Sequence, residues 1–228
     1  MNFDFTPYLK RYEALARVAD QVFERVAGEH PECVRCGSGC VDCCYALFDL
    51  TLIEAVYINQ KFNERYSGSE RERLLEKANR ADRHIAKVKR EAFRELREGR
   101  KDETRLLAEL GRVREQCPLL DDDNRCILYA HRPITCRFYG IPTAIGGQGH
   151  TCGLSGFEQG GRYPTVQLER IHQQLQQITA EMLRDMQSKH VKLVDLLMPL
   201  SMALMTVFDE EFFGVEGWQN AASKRRGR

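Results

Sequence analysis

Nine cysteines are the side chains of this 228-residue sequence that are best suited to chemistry, and they fall into two groups. The groups comprise Cys33, Cys36, Cys40, Cys43 and Cys44, and then Cys117, Cys126, Cys136 and Cys152. Cysteines that serve as small core hydrophobes would scatter along the apolar faces of helices. These lie in segments rich in Gly, Pro and Asp, and this distribution favours metal binding over buried thiols or disulfides.

The spacing of the cysteines leaves two kinds of metal site open. Thiolates are soft ligands, which select zinc or iron–sulfur chemistry. Structural zinc sites are typically built from paired CxxC knuckles, whereas here CxxC spacing occurs only at Cys33–Cys36 and Cys40–Cys43. The neighbouring His30, His131 and His150 are interpreted as polar neighbours rather than as ligands.

The first group contains two further clues. Cys36, Cys40 and Cys43 have the CxxxCxxC spacing of radical-SAM enzymes, but Asp42 stands where those enzymes carry an aromatic residue. The alternation of strands and helices that such enzymes require is also missing. Side chains of the adjacent Cys43 and Cys44 diverge, so one of them is expected to face a different metal or to stay a free thiol.

Helices must position these two segments. Apolar side chains at alternating spacings of four and three predict helices over residues 7–27, 70–98 and 168–182. Thr51 with Glu54 forms a possible capping box that opens a helix running to Arg65. A return helix with Leu106, Leu107, Leu110 and Val113 completes a hairpin over residues 67–115, and residues 191–208 are expected to form a buried helix. The predicted fold class is all-α: a helical bundle with two irregular cysteine-rich segments, 33–44 and 117–152.

Composition limits the class of protein. The chain is 43% hydrophobic and 29% charged with a formal net charge of +1, which excludes a disordered, uniformly acidic or uniformly basic protein. We predict a single domain over residues 1–228 with a disordered basic tail at 223–228. No membrane span and no export signal are expected, so the predicted location is the cytoplasm.

The helix over residues 71–101 carries twice as many Lys and Arg as Asp and Glu. This surface could meet an acidic partner or nucleic acid, or it could be a solvated face stabilised by ion pairs. Phe93 alone interleaves an aromatic ring with the basic residues, so base stacking has little support. Nucleic acid is therefore considered an unlikely partner, and a protein partner or substrate stays unknown.

The second cysteine segment, residues 117–140, reads CPLLDDDNRCILYAHRPITCRFYG. Together with CGSGCVDCC at residues 36–44 and the later Cys152, it resembles the YkgJ-like cysteine-cluster family, which is described as a zinc- or iron-chelating domain. The resemblance covers roughly residues 33–153. The extra Cys33 and the charged hairpin between the motifs depart from the family pattern.

The resemblance implies a set of metal ligands: Cys36, Cys40, Cys43, Cys44, Cys117, Cys126, Cys136 and Cys152. Arg132 and Arg137 lie in the same motif, where they could offset the negative charge of the thiolates and donate hydrogen bonds to sulfur. Ordinary surface ion pairing is the alternative role for these arginines. The chain from Cys44 to residue 116 must leave and return, so that Cys40 and Cys136 meet.

Three functions remain open at this point. The surplus of thiols, and the similarity to flagellin lysine methylases, favour a redox-active iron–sulfur cluster of the 4Fe-4S type. A structural zinc module that mediates protein or nucleic-acid interaction is the second hypothesis. A cluster-dependent enzyme related to the lysine methylases is the third, although no nucleotide-binding loop supports it, and whether the protein is an enzyme stays undecided.

Overall fold

A computed structural model describes residues 3–37, 39–158 and 160–215. The helices are α1 (Thr6–Glu29), α2 (Leu52–Arg65), α3 (Gly68–Arg97), α4 (Glu103–Leu110), α5 (Ile134–Phe138), α6 (Leu168–Asp185), α7 (Leu200–Met205) and α8 (Glu210–Phe213). The strands are β1 (Asp49–Thr51), β2 (Thr143–Ile145), β3 (Gln148–His150), β4 (Val166–Gln167) and β5 (Leu197–Pro199). Short 3-10 turns lie at Asp42–Tyr45, Tyr129–His131 and Val191–Asp195. The predicted basic tail, 223–228, lies outside the described residues.

The long helices that the apolar periodicity predicts are present as α1, α3 and α6. Leu74, Ala78, Ala81 and Ile85 are buried along α3, which is one half of the predicted hairpin. The return helix is shorter than predicted, since α4 ends at Leu110. In the described part of the chain, no helix is both long and apolar enough to cross a lipid bilayer.

The fold class is mostly helical rather than strictly all-α, because the described residues form two small sheets. Strand β1 pairs with β5 in antiparallel fashion, with Asp49 opposite Pro199. Strand β2 pairs with β3 in antiparallel fashion and with β4 in parallel fashion. Each strand has two or three residues, which is too short to produce a detectable alternation in the sequence.

The predicted buried helix over residues 191–208 is wrong. This stretch forms a 3-10 turn, strand β5 and the short helix α7, with Val191 70% and Leu197 49% exposed. Pro199 explains the break, because proline has no backbone N–H and restricts the preceding residue to extended conformations. It lies at the N-cap position of α7, immediately before the helix begins.

Helix α2 lies at the centre of the core and holds the first cysteine segment in place. Ile53, Ile58 and Phe62 are essentially inaccessible to solvent. The helix packs against α1, α6 and α7, so the hydrophobic effect fixes its position. Its first turn follows directly on β1, which connects it to the 3-10 turn that carries Cys43 and Cys44.

A buried carboxylate joins the beginning of α2 to the beginning of α5. Glu54, 4% exposed, accepts hydrogen bonds from the backbone N–H of Thr51 at 3.1 Å and from its hydroxyl at 2.9 Å. This is the predicted capping box, and its geometry is present. The other carboxylate oxygen accepts from the N–H of Ile134 at 3.1 Å. Glu54 therefore accepts from buried N–H groups at the N-termini of two helices at once.

We expect Glu54→Gln to lower the free energy of unfolding by about 1–3 kcal/mol, because the amide group of Gln faces N–H donors that then lose their acceptor. Urea denaturation measures this loss. Glu64→Gln, at an exposed position of the same helix, is the control and should change stability by less than about 0.5 kcal/mol. Equal effects of the two substitutions would contradict the role assigned to Glu54.

The difference in stability between the wild type and Glu54→Gln should depend on pH. Burial raises the pKa of Glu54 above its ordinary value of 4.5. The folded state therefore keeps this proton to higher pH than the unfolded state, and the contribution of Glu54 to stability falls as pH rises above 4.5. The stability advantage of the wild type over Glu54→Gln should be largest in acid. An advantage that grows with pH would contradict this sign.

Candidate metal centre

The two cysteine-rich segments meet at the base of the helical hairpin. The N–H of Cys117 donates to the carbonyl of Cys44 at 2.7 Å, and that of Glu115 donates to the carbonyl of Tyr45 at 3.1 Å. Ala46 and Arg114 form an antiparallel bridge beside them. The prediction that the chain leaves at Cys44 and returns to the same place by residue 116 is confirmed.

Seven cysteines line one cavity of about 540 Å³. They are Cys36, Cys40, Cys43, Cys44, Cys117, Cys126 and Cys136. Cys43 and Cys44 lie on the 3-10 turn, Cys136 lies on α5, and the other four come from irregular segments. Each of the nine cysteines is a free thiol. The structure thus brings thiols of both segments, including Cys40 and Cys136, to a common space.

The thiols surround this cavity without converging on one point. Within the described ranges, no group of three or more His, Cys, Asp or Glu side chains is placed so as to hold a single metal ion. The donors nevertheless fit a soft metal or an iron–sulfur cluster in their chemistry, because all of them are sulfur. His131 instead lies with its Nδ1 2.8 Å from the hydroxyl of Tyr57.

A glycine allows Cys36 to approach the second segment. The Cys36 thiol donates to the carbonyl of Tyr139 at 3.3 Å. The next residue, Gly140, has φ of +99°, and a Cβ atom placed there would lie 2.1 Å from the Cys36 sulfur. A side chain at position 140 would therefore be strained in its backbone and would also collide with Cys36.

The pKa of the Cys43 thiol is lowered below its ordinary value. Hydrogen bonds from the thiols of Cys136 and Cys44 lower its pKa, and the positive charge of Arg132 acts in the same direction. The pKa values of Cys44 and Cys136 are raised, in each case first by the hydrogen bond to Cys43. Desolvation raises the pKa of Cys117 to about 12.

The thiols of Cys36 and Cys40 also have a hydrogen bond with each other, and Cys152 lies near them. Desolvation raises the pKa of Cys36 to about 12, and negative charge on Cys40 and Cys152 adds to this shift. Cys152 does not line the cavity; its thiol donates to Asp42 Oδ2 at 3.3 Å. Cys33 lies apart from the cavity as well, buried and hydrogen-bonded to Glu32 at 3.4 Å.

Sequence reasoning missed the structural role of Asp42. Its carboxylate accepts from the Tyr139 hydroxyl at 3.0 Å as well as from Cys152, and it pairs with Arg114 at 2.5 Å. It therefore connects the first cysteine segment to three later parts of the chain. The position of Asp42 between cysteines of the first motif is a local signal of a role at this site. Its partners could not be identified from the sequence, because they are 72 to 110 positions away.

The two arginines of the motif share one carboxylate on α1. Asp20 accepts from Nη2 of Arg132 at 3.2 Å and from Nη1 of Arg137. Arg137 is 6% exposed, and its other donors reach the carbonyls of Arg132 and Ala130, both at 2.9 Å. The guanidinium of Arg132 also lies 4.1 Å from the ring centroid of Tyr129. Donation from these arginines to sulfur stays a prediction, whereas both do line the cavity.

In this protein, a mostly helical scaffold brings cysteine thiols from two segments together, as expected of a cysteine-cluster domain. Residues 32–153 match the model of the CxxCxxCC family, "Putative zinc- or iron-chelating domain". Because this match spans more than half of the chain, the protein belongs to that family. No curated protein and no solved structure shows a significant similarity to the chain.

The contact between Gly140 and Cys36 can be tested by substitution. We expect Gly140→Ala to destabilise the protein by about 1–3 kcal/mol more than Gly147→Ala, as an overpacked contact does. Gly147 is the matched control, since its φ of +75° carries a similar backbone penalty but a Cβ there meets nothing within 4 Å.

Urea denaturation measures both variants, and the double variant Cys36→Ala/Gly140→Ala provides a second control. Compared with Cys36→Ala alone, the double variant should lack most of the extra cost of the alanine at position 140, because the sulfur is gone and only the Cβ of residue 36, at 3.3 Å, stays close. Equal losses in Gly140→Ala and Gly147→Ala would contradict the close approach of Cys36.

A second prediction concerns Asp20. Asp20→Asn should lower the free energy of unfolding by about 1–3 kcal/mol, because it removes the charged partner of the buried Arg137. Thermal or urea denaturation measures the loss. Glu24→Gln, an exposed position one turn further along α1, is the control and should be close to neutral. A neutral Asp20→Asn would show that the arginines are held by their other bonds alone.

Proposed function

We propose that this protein holds an iron–sulfur cluster of the 4Fe-4S type through cysteine thiolates of both segments. The observation that carries the proposal is that seven free thiols from two segments line a single cavity. When bound, such a cluster supplies one-electron transfer. The protein is proposed to act in the cytoplasm as a single domain, with a redox role.

Cavity size and donor number support a cluster over a single zinc ion. A cavity of about 540 Å³ is more than tenfold larger than the share of one water molecule, which is roughly 30 Å³. Structural zinc is held by four ligands that converge on one ion at about 2.3 Å. Seven thiols around a large space are an arrangement better suited to several metal atoms than to one.

The charges around the cavity also support a cluster. Arg132 and Arg137, which both pair with Asp20, are among the described residues that line it, and no Asp or Glu is among them. Thiolate-bound clusters carry net negative charge, and nearby cations stabilise such charge and raise the reduction potential. Arg132 already favours the ionised form of Cys43.

The proposed ligands are the cavity thiols together with Cys152, which lies near Cys36. Most of these thiols have raised pKa values, chiefly because of burial and mutual proximity, so they retain protons when no cation is present. Coordination to a metal deprotonates a thiol. Loading of the site would therefore release protons and become more favourable as pH rises.

A structural zinc site is the second candidate, because the family description includes zinc as well as iron. The thiol of Cys43 already has hydrogen bonds with those of Cys44 and Cys136. Four thiolates drawn from this group and the neighbouring Cys117 or Cys126 would satisfy the ligand number of zinc.

Absorbance and chemical analysis of protein purified without oxygen test the proposal. We expect a brown protein with broad absorbance in the blue and near ultraviolet, containing iron and acid-labile sulfide. Cys136→Ser should remove most of this absorbance, because Cys136 lines the cavity. Cys33→Ser is the matched control, since Cys33 lies outside the cavity, and it should retain the chromophore.

A labile cluster could be lost during purification, so each sample is also reconstituted with iron and sulfide before measurement. Stoichiometric zinc without sulfide after reconstitution would overturn the cluster and support the zinc module. A chromophore that survives Cys136→Ser but not Cys33→Ser would contradict the assigned ligands.

A further inference from the structure

The mouth of the cavity carries hydrogen-bond donors that the proposed metal centre does not need. Asn124, Arg125 and Tyr129 line the cavity and are all exposed. Within the described ranges, none of the three side chains has a hydrogen bond or an acidic partner, although the Tyr129 ring packs under Arg132. Arg125 differs in this respect from Arg132 and Arg137, which both pair with Asp20.

A tight turn fixes the chain beneath these donors. One carboxylate oxygen of Asp121 accepts from the N–H of Asp123 at 3.0 Å and from the N–H of Arg125 at 2.7 Å. Asn124 takes φ of +58°, a left-handed conformation that asparagine tolerates well. Leu120 and Cys126 then pair as an antiparallel bridge. The exposed donors are thus attached to an ordered turn next to a predicted ligand.

The lining of the cavity also includes apolar side chains. Apolar side chains of four different segments line it, namely Phe23, Phe48, Leu119 and Leu200. The volume of about 540 Å³, which a metal centre bound there would share, falls in the range of roughly 300–1,000 Å³ that is typical of pockets for small molecules. Apolar walls with a few polar groups at one end are the usual composition of such pockets.

We propose that this cavity binds a small organic anion, with its charged group on Arg125, Asn124 and Tyr129 and its apolar body against the Phe48 and Leu119 walls. No Asp or Glu is among the described residues that line the cavity, although the Asp121 carboxylate lies on the adjoining turn. A guanidinium recognises both groups by paired N–H donors. The inference rests on the proposed function only in placing this anion beside a metal centre.

Binding of four probe molecules to the full-length protein tests the inference by titration calorimetry. Phenylacetate and phenyl phosphate combine an anionic group with an apolar ring, and the comparison between them distinguishes a carboxylate from a phosphate ligand. Acetate lacks the ring and 2-phenylethanol lacks the charge. We expect one of the two ring-bearing anions to bind with a dissociation constant of about 1 mM or tighter, and both truncated probes to bind at least tenfold more weakly.

The variant Arg125→Gln should weaken binding of the ring-bearing anion by about tenfold or more, because it removes the charged donor. Arg162→Gln is the matched control, since Arg162 is exposed but does not line the cavity, and it should bind as the wild type does. Absence of binding by both ring-bearing anions, or unchanged binding in Arg125→Gln, would overturn the inference.

Iron, zinc and sulfide are measured on the same samples, so that the two proposals can fail separately. Both arginine variants should keep the metal content of the wild type. A zinc-loaded protein that binds the anion through Arg125 would overturn the cluster but support the anion site. A cluster-loaded protein that binds neither ring-bearing anion would support the cluster and overturn the anion site.

Discussion

The buried carboxylate of Glu54 is the interaction on which the arrangement of this protein depends most. It accepts hydrogen bonds at the start of α2, which is the central helix of the core, and at the start of α5, which carries Cys136. The two cysteine-rich segments are therefore held together by a bond that involves no cysteine. The backbone hydrogen bond from Cys117 to Cys44 joins the same two segments directly. Glu54 thus helps to define the cavity without being one of the proposed ligands.

Electrostatics imposes the second constraint, because several thiols in one cavity raise the cost of ionising each other. Positively charged side chains beside the thiols offset part of this cost. Arg132 and Arg137 line the cavity, and Asp20 on α1 holds both of them. Asp20 lies outside the family match at residues 32–153, so the N-terminal helix supplies part of the electrostatic environment of the family domain.

The sequence predicted the long helices, the capping box and the meeting of the cysteine segments. Periodicity and capping are local signals, and the cysteine spacing is specific. The stretch around Pro199 was misassigned because an apolar run without clear periodicity does not distinguish a buried helix from a strand followed by a turn. Asp20 was not found because its partners Arg132 and Arg137 lie 112 and 117 positions away, beyond the reach of any local pattern.

X-ray absorption at the iron and zinc edges of anaerobically purified protein tests the central proposal most directly. A cluster predicts iron surrounded by sulfur, together with scattering from neighbouring iron atoms, and little zinc. Zinc with four sulfur neighbours at about 2.3 Å and no iron, even after reconstitution, would contradict the account.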